Sequence, residues 1–381
     1  MHYLDHAATT PVLPEVRQAM NECLENDFGN PSSLHEAGRR ARKLVEDARD
    51  RVAAAIGAEP SEIVFTGGGT EADNLALKGA AYKRRGNGDH IVVGAFEHHA
   101  VLDAAAALEA EGWDVSHARV DARGIIEPAA VTRELRRGTV LVSVMTVNNE
   151  VGTIQDVAAI AGAVRETAPA AVVHTDAVQA LGNIPVDVGG WGVHLASFAA
   201  HKLGGPKGVG ALYIRAGVPV GPIVHGGGQE RGIRSGTLNV PGIVGFGLAA
   251  EIAAAEVGRK GPRLEALRKK LLDGLARLVP DLQINGDMER RVAGNLNVAI
   301  PGADGETLLL LLDRSGIACS AGSACASGAI DPSHVLTSMG LSAARAGGSL
   351  RFSLGRSSSD ADIEAVLAAM PDIVSRARRA A

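Results

Sequence analysis

The chain has 381 residues, 46% hydrophobic and 21% charged, which excludes one small domain and a disordered chain and leaves room for more than one hydrophobic core. A formal net charge of -5 excludes the basic excess that direct nucleic-acid binding requires, MHYLDHAATT is no secretory leader, and no apolar run approaches the ~20 residues of a membrane span. The cysteines Cys23, Cys319 and Cys325 are odd in number and too few for a disulfide framework, so a reducing, cytoplasmic compartment is expected.

From about residue 60 to 215, β-branched runs alternate with Ala-rich segments of helical period, the signature of crossover units that build a mostly parallel sheet. The predicted strands are EIVF (62–65), HIVVGAF (90–96), TVLVSVMTV (139–147), AVVHT (171–175), HLASF (194–198) and GALYI (210–214). Beyond Pro241 a long Ala-, Leu- and charge-rich stretch to Leu278 reads as a linking helix. A smaller α+β unit follows, with NLNVAI as a strand and GETLLLLLDRSG and DIEAVLAAMPDIVSRARRA as helices. Between Cys325 and Arg351 the turn-rich stretches ASGAIDPS and LSAARAGGS flank only a short helix, HVLTSMG, so this long connection is expected to be a lid or binding loop.

EIVFTGGGTEADNLALKG reads as strand, glycine turn and helix, a place where backbone N–H groups and the helix dipole converge on an anion. Gly67, Gly69 and Ala72 also satisfy the dinucleotide fingerprint, with Glu97 placed like a ribose-binding acid, so the loop alone leaves a nicotinamide cofactor, another phosphate ligand and a structural turn open. AVVHTDAVQALG and HLASFAAHKLGGPKGVGALYI add an Asp at one strand end, Asp176, and a Lys one strand later, Lys202. Those are the groups that pyridoxal phosphate needs: an amine for the Schiff base, and a carboxylate that keeps the ring nitrogen protonated. Adjacent His98 and His99 lack the further ligands that a zinc site needs, and no metal is expected.

The stretches YLDHAATTP, FGNPSSLH, FTGGGTEADN, EHHAVLD, VNNEVGTIQD, HTDAVQALG, AHKLGGPKGVGALY, GGGQERGIRSGT, SAGSAC and SLRFSLGR span nearly the whole chain. With them the chain resembles the cysteine desulfurase family of class V aminotransferase-type proteins, on its NifS/IscS side. The resemblance implies a fold-type-I pyridoxal-phosphate enzyme, with a large α/β domain over 14–255 and a small α+β domain from 1–13 and 256–381. It implies that Lys202 carries the cofactor, His98 stacks on its ring, Asp176 faces the pyridine nitrogen, Gln179 bonds the phenolic oxygen, and Gly69, Thr70 and His201 hold the phosphate. Thr237 would reach the phosphate of a neighbouring subunit, which implies a homodimer. Asn149 would contact the cofactor oxygen and the substrate, Arg351 would hold the substrate carboxylate with its two-pronged guanidinium, and Arg356 is the bland neighbour.

By the same resemblance Cys325 takes the sulfur of free L-cysteine as a persulfide, leaving L-alanine. Cys319 reads as a packing residue and Cys23 as inert. The sulfur acceptor would be an iron–sulfur scaffold, a tRNA-thiolation enzyme or DNA-phosphorothioation machinery, and the stretch after SLGR is shorter than the scaffold-docking tail of longer family members. Where the family usually has a serine, two residues before His201, this chain has Ala199, a loss of one phosphate hydrogen bond worth on the order of 1 kcal/mol. The rival readings are a related lyase or aminotransferase, such as a selenocysteine lyase, and a degenerate sulfur-relay subunit that binds without catalysing.

Overall fold

The computed structural model describes residues 1–321 and 332–380. Strands β1 (His2–Tyr3), β2 (Ile63–Thr66), β3 (His90–Gly94), β4 (Asp114–Ala118), β5 (Thr139–Ser143), β6 (Val172–Asp176), β7 (Leu195–Ala199) and β8 (Gly210–Ile214) precede a helix over Val240–Leu278. After it come β9 (Gln283–Ile284), β10 (Asn295–Ala299), β11 (Ile317–Ala318) and β12 (Ser349–Ser353).

The large sheet has the order β2-β8-β7-β6-β5-β3-β4. Neighbours from β7 to β4 are parallel, while β8 runs against both β7 and β2. Its strands are buried at every position except in β4, because helices cover both faces and strands in that setting are continuous apolar runs. Strand β4 is the exception that sequence reading passes over: DVSHA lies at the sheet edge, is mostly polar, and carries no apolar run. Side chains alternate across the sheet as the pleat requires. Val92, Val142 and Val173 face one layer with Ile160 and Phe246, while Ile91, Leu141 and Val172 face the other with Leu75 and Val101.

A separate core gathers Leu4, Leu264, Leu271, Leu296, Val298, Leu308, Phe352, Ile363 and Met370. It lies on the antiparallel sheet β12-β10-β9, against the helices Gly305–Arg314 and Asp360–Ala380. The N-terminus reaches this core by pairing β1 in parallel with β11. The 39-residue helix Val240–Leu278 joins the two regions, with Ile243, Phe246 and Ala250 in the first core and Leu264, Leu271 and Leu275 in the second. By length and composition it could cross a bilayer, yet those apolar side chains form its contact with the two cores, each at most 2% exposed.

One buried ion pair ties the segment bearing Thr237 to the large sheet. Arg49 donates to both carboxylate oxygens of Glu230 at 2.7 and 2.9 Å, and Glu230 also accepts the Phe65 N–H at 2.8 Å. Glu230 and Arg231 are, among the described residues, the non-glycine residues with positive φ, at 48° and 56°, a backbone state held by these contacts. Replacing Glu230 by Ala leaves the buried guanidinium with only the more exposed Glu46 and the Ile63 carbonyl, so Glu230→Ala should lose up to about 3 kcal/mol of stability. Thermal unfolding followed by circular dichroism checks it, and a midpoint equal to wild type would contradict the assignment.

Candidate active site

Ligands of open α/β sheets sit beyond the carboxyl ends of the parallel strands. Here β6 ends at Asp176, β7 runs through Ala199 to Lys202, and the chain leaves β3 for His98 and β5 for Asn149. These residues, with Gly69, Thr70, Gln179, His201 and Arg351, line one cavity of about 320 Å³.

The glycine turn brings the helix Gly69–Arg84 to the cavity end-on. No side chain caps its first turn, so the amides there remain available to an anion. A Cβ on Gly69 would lie 2.8 Å from Cγ2 of Val178, so only glycine lets the helix start this close to the loop after β6. Ala199 is buried beside it and presents a methyl group to the cavity.

Lys202 has an environment unlike that of a surface lysine. Its Nζ donates to the carbonyls of Ala7 at 2.7 Å and Ala8 at 2.8 Å. Burial, reinforced by the nearby Arg351 charge, lowers its pKa to about 8 against the pull of Asp176 and Asp5. Asp176 accepts the Val178 N–H at 2.9 Å, and burial pushes its carboxyl up while His98 and Lys202 oppose the shift. His98 caps the helix His99–Ala110, its Nδ1 accepting the Ala100 N–H at 3.1 Å, which leaves the ring proton on Nε2. His201 contacts Thr9 Oγ1 at 3.1 Å and is pushed down to about 4 by burial and by Lys202 and Lys207, so it stays neutral. Gln179 donates to Ala7 O at 2.8 Å.

Arg351, 4% exposed on β12, crosses from the second core to this cavity. It donates to Asp5 Oδ1 at 2.8 Å and to the carbonyl of Asn149 at 3.0 Å. Cys319 stands next to Ser320, whose backbone pairs with that of Arg351, and burial pushes the Cys319 thiol up to about 12. A thiol in that state is a poor nucleophile, in keeping with a packing residue. Cys23 is buried. Thr237 is exposed and does not line the cavity of its own chain, and Cys325 lies outside the described residues.

Several further residues stand at the cavity or against its walls. Glu150 is buried, bonded by the Ser333 hydroxyl at 2.5 Å, and pushed up to about 7 by desolvation. His334 Nε2 donates to Glu97 O at 2.9 Å, and its ring lies 4.5 Å from that of His99. Both contacts fasten the chain where it returns after Cys325. Asp73 and Glu97 are fully buried carboxyls whose ionisation burial opposes. Among the described residues no cluster of metal-ligating side chains occurs.

The family model for class V aminotransferases matches residues 2–366. The chain belongs to the class V aminotransferase family, on its NifS/IscS side. A cysteine desulfurase IscS of Methanosarcina thermophila is 46% identical over 376 residues, covering 99% of this chain and 92% of the relative. A solved NifS-like protein superposes with a TM-score of 0.93 at 40% identity, covering 98% of this chain and 99% of its own. Another solved structure, SspA in complex with cysteine, has a TM-score of 0.81 at 34% identity and covers 93% and 99% of the two chains.

Class V enzymes of this kind depend on pyridoxal phosphate, and the cavity fits that group: an amine of lowered pKa, a buried carboxylate and an uncapped helix start meet in one space. In cofactor-free protein the reactive free amine of Lys202 forms as pH rises through about 8, so the rate of pyridoxal-phosphate uptake should climb with a midpoint there. Arg351→Gln removes a charge that lowers this pKa and should move the midpoint upward. Stopped-flow absorbance measures both, and a midpoint near that of an ordinary lysine, roughly 10.4, would contradict the environment described.

Proposed function

We propose that this chain is a cysteine desulfurase that converts free L-cysteine to L-alanine and takes the sulfur onto Cys325. The observation that carries the reading is the meeting of Lys202, Asp176 and Arg351 around one cavity: Asp176 at the end of β6, Lys202 in the turn just past β7, and Arg351 reaching in from the other core. Pyridoxal phosphate, when bound, supplies the electron sink for bond changes at the substrate's Cα and Cβ. Lys202 would hold it, Gly69, Thr70 and His201 its phosphate, Asp176 its ring nitrogen, and Gln179 with Asn149 its ring oxygen, while His98 covers one face of the ring.

Arg351 binds the substrate carboxylate, for which its interaction with Asp5 must open or be shared. Lys202, with its pKa near 8, is poised to take a proton from Cα at Nζ and return it to carbon. The thiolate of Cys325 attacks the substrate sulfur: an S–S bond forms, the Cβ–S bond breaks, and Cβ gains the hydrogen that makes alanine. L-Cysteine and a thiol thus become L-alanine and a persulfide, with no external oxidant or reductant.

A homodimer is part of this reading. Thr237 is exposed and does not line the cavity of its own chain, which leaves it free to serve a second copy, and Phe28 and Leu34, within FGNPSSLH, are 88% and 81% exposed. The persulfide then passes in the cytoplasm to an acceptor protein for iron–sulfur assembly, tRNA thiolation or DNA phosphorothioation.

Cys325→Ser should keep bound cofactor and still perturb its visible absorbance on adding cysteine, because neither event uses the thiol. Alanine formation should fall at least about 100-fold, since a hydroxyl hardly ionises at neutral pH. Cys319→Ser should retain wild-type turnover. Alanine assays with both variants test the proposal, and a Cys325→Ser enzyme that works while Cys319→Ser fails would transfer the role to Cys319.

A further inference from the structure

Below the cavity floor lies a buried polar chain that the reaction above does not use. Asp73, on the helix Gly69–Arg84, is 1% exposed and borders the same cavity as Asp176. No lysine or arginine among the described residues forms an ion pair with it. The basic atom closest to it, Nε2 of His174, stands 3.6 Å from Oδ1, and that oxygen has no hydrogen-bond partner. His174 cannot supply a counter-charge, because complete burial lowers its pKa to about 3. It accepts and donates instead within a line of hydroxyls: Nδ1 meets Ser143 Oγ at 2.8 Å and Nε2 meets Ser197 Oγ at 3.0 Å.

The strand register makes this line part of the cofactor site. His174 and Asp176 lie on the same face of β6, and Ser197 on β7 is the register partner of Asp176. The other ionisable groups facing this region are Glu97, Asp176, His98 and Lys202, and the Lys202 ammonium protons are already directed at the carbonyls of Ala7 and Ala8. Two unpaired carboxylates side by side in a dry site repel each other and lose hydration together, so one of them keeps its proton. Asp176 has a backbone N–H and the nearby Lys202 to favour its charge, whereas Asp73 has neither, and only the Ser197 hydroxyl beside it works against burial and the Asp176 charge.

We propose that Asp73 is a positioning residue that holds a proton in the working enzyme, donating it into the Ser197–His174–Ser143 line so that Asp176 alone bears negative charge at the cavity floor. The inference deepens the pyridoxal-phosphate reading and rests on it for the role of Asp176. A neutral Asp73 leaves the full field of Asp176 directed at the ring nitrogen. An ionised one would share the proton between two acids and blur which of them the ring meets.

The test is infrared difference spectroscopy of cofactor-free and cofactor-loaded protein carrying isotope-labelled aspartate, wild type against Asp73→Asn. A carboxylic-acid carbonyl band belonging to Asp73, present from about pH 6 to 9 in both forms, is the expected result. A carboxylate band there instead overturns the proposal. In the loaded enzyme, Asp73→Asn replaces a neutral acid by a neutral amide, so the pH midpoint of the visible cofactor band should move by less than about threefold in proton affinity. A larger shift means that a charge was removed and also overturns it. If Asp73→Asn does not fold, Ser197→Ala, which removes the hydroxyl beside Asp73, should shift the carbonyl frequency of the acid band, and the labelled wild-type spectrum alone still decides the protonation state. Wild-type protein that takes up no pyridoxal phosphate would instead defeat the proposed function, a failure visible without any reference to the Asp73 band.

Discussion

The grip of the N-terminal strap on Lys202 is the contact on which the site depends. Residues 2–10 start in the second core, where β1 pairs with β11 and Leu4 is buried, and then cross to the large sheet. Along the crossing Asp5 holds Arg351, the carbonyls of Ala7 and Ala8 hold Lys202, Ala7 also receives Gln179, and Thr9 and Thr10 meet His201. One short segment therefore sets the separation between the amine that would carry the cofactor and the guanidinium that would hold the substrate. Because those two side chains come from different cores, a slip of this strap would misplace one against the other, and misplacement by about 1 Å is enough to lower a rate by 100-fold.

The electrostatics follow from burial more than from ion pairing. Lys202 is uncharged at mildly alkaline pH because it is desolvated beside a second cation, Arg351. Glu150 sits near 7 because burial raises it against the Ser333 hydrogen bond and the Arg351 charge, and His201 stays neutral because it is buried, with Lys202 and Lys207 adding to the effect. Glu97 gives one oxygen to the Met145 N–H at 2.6 Å and leaves the other unpartnered in the interior. A site of this kind presents few fixed charges before its ligands arrive, so those it keeps act through a medium of low polarity where they are strong.

Much of this was legible in the sequence because the relevant signals are local. Continuous β-branched runs marked β2, β3, β5, β6, β7 and β8 to within a few residues at their ends, and HTDAVQ and AHKLGG put Asp176 and Lys202 at strand ends. The glycine turn declared a phosphate cradle without naming its ligand, and the pairing of Asp176 with Lys202 chose pyridoxal phosphate among the alternatives before the family resemblance agreed with it. What escaped was non-local. The edge strand β4 has no apolar run, and nothing in TEADN marks Asp73 as buried under a neighbouring strand. Glu150 and Ser333 are 183 positions apart and meet only because the chain after Ser333 packs Val335 and Leu336 into the same core as Val151. Asp5 reads as one letter of DHAATT until β12 brings Arg351 against it across 346 positions.

If this arrangement serves catalysis, the cofactor is carried by Lys202, the lysine held between the strap and the turn after β7. Borohydride reduction of the loaded protein, followed by proteolysis and mass spectrometry, tests it most directly, because reduction fixes the cofactor to its lysine irreversibly. A single labelled site at Lys202 is the expected result. Label on Lys207, five positions on and also beside His201, or spread over surface lysines with Lys202 unmodified, would contradict it.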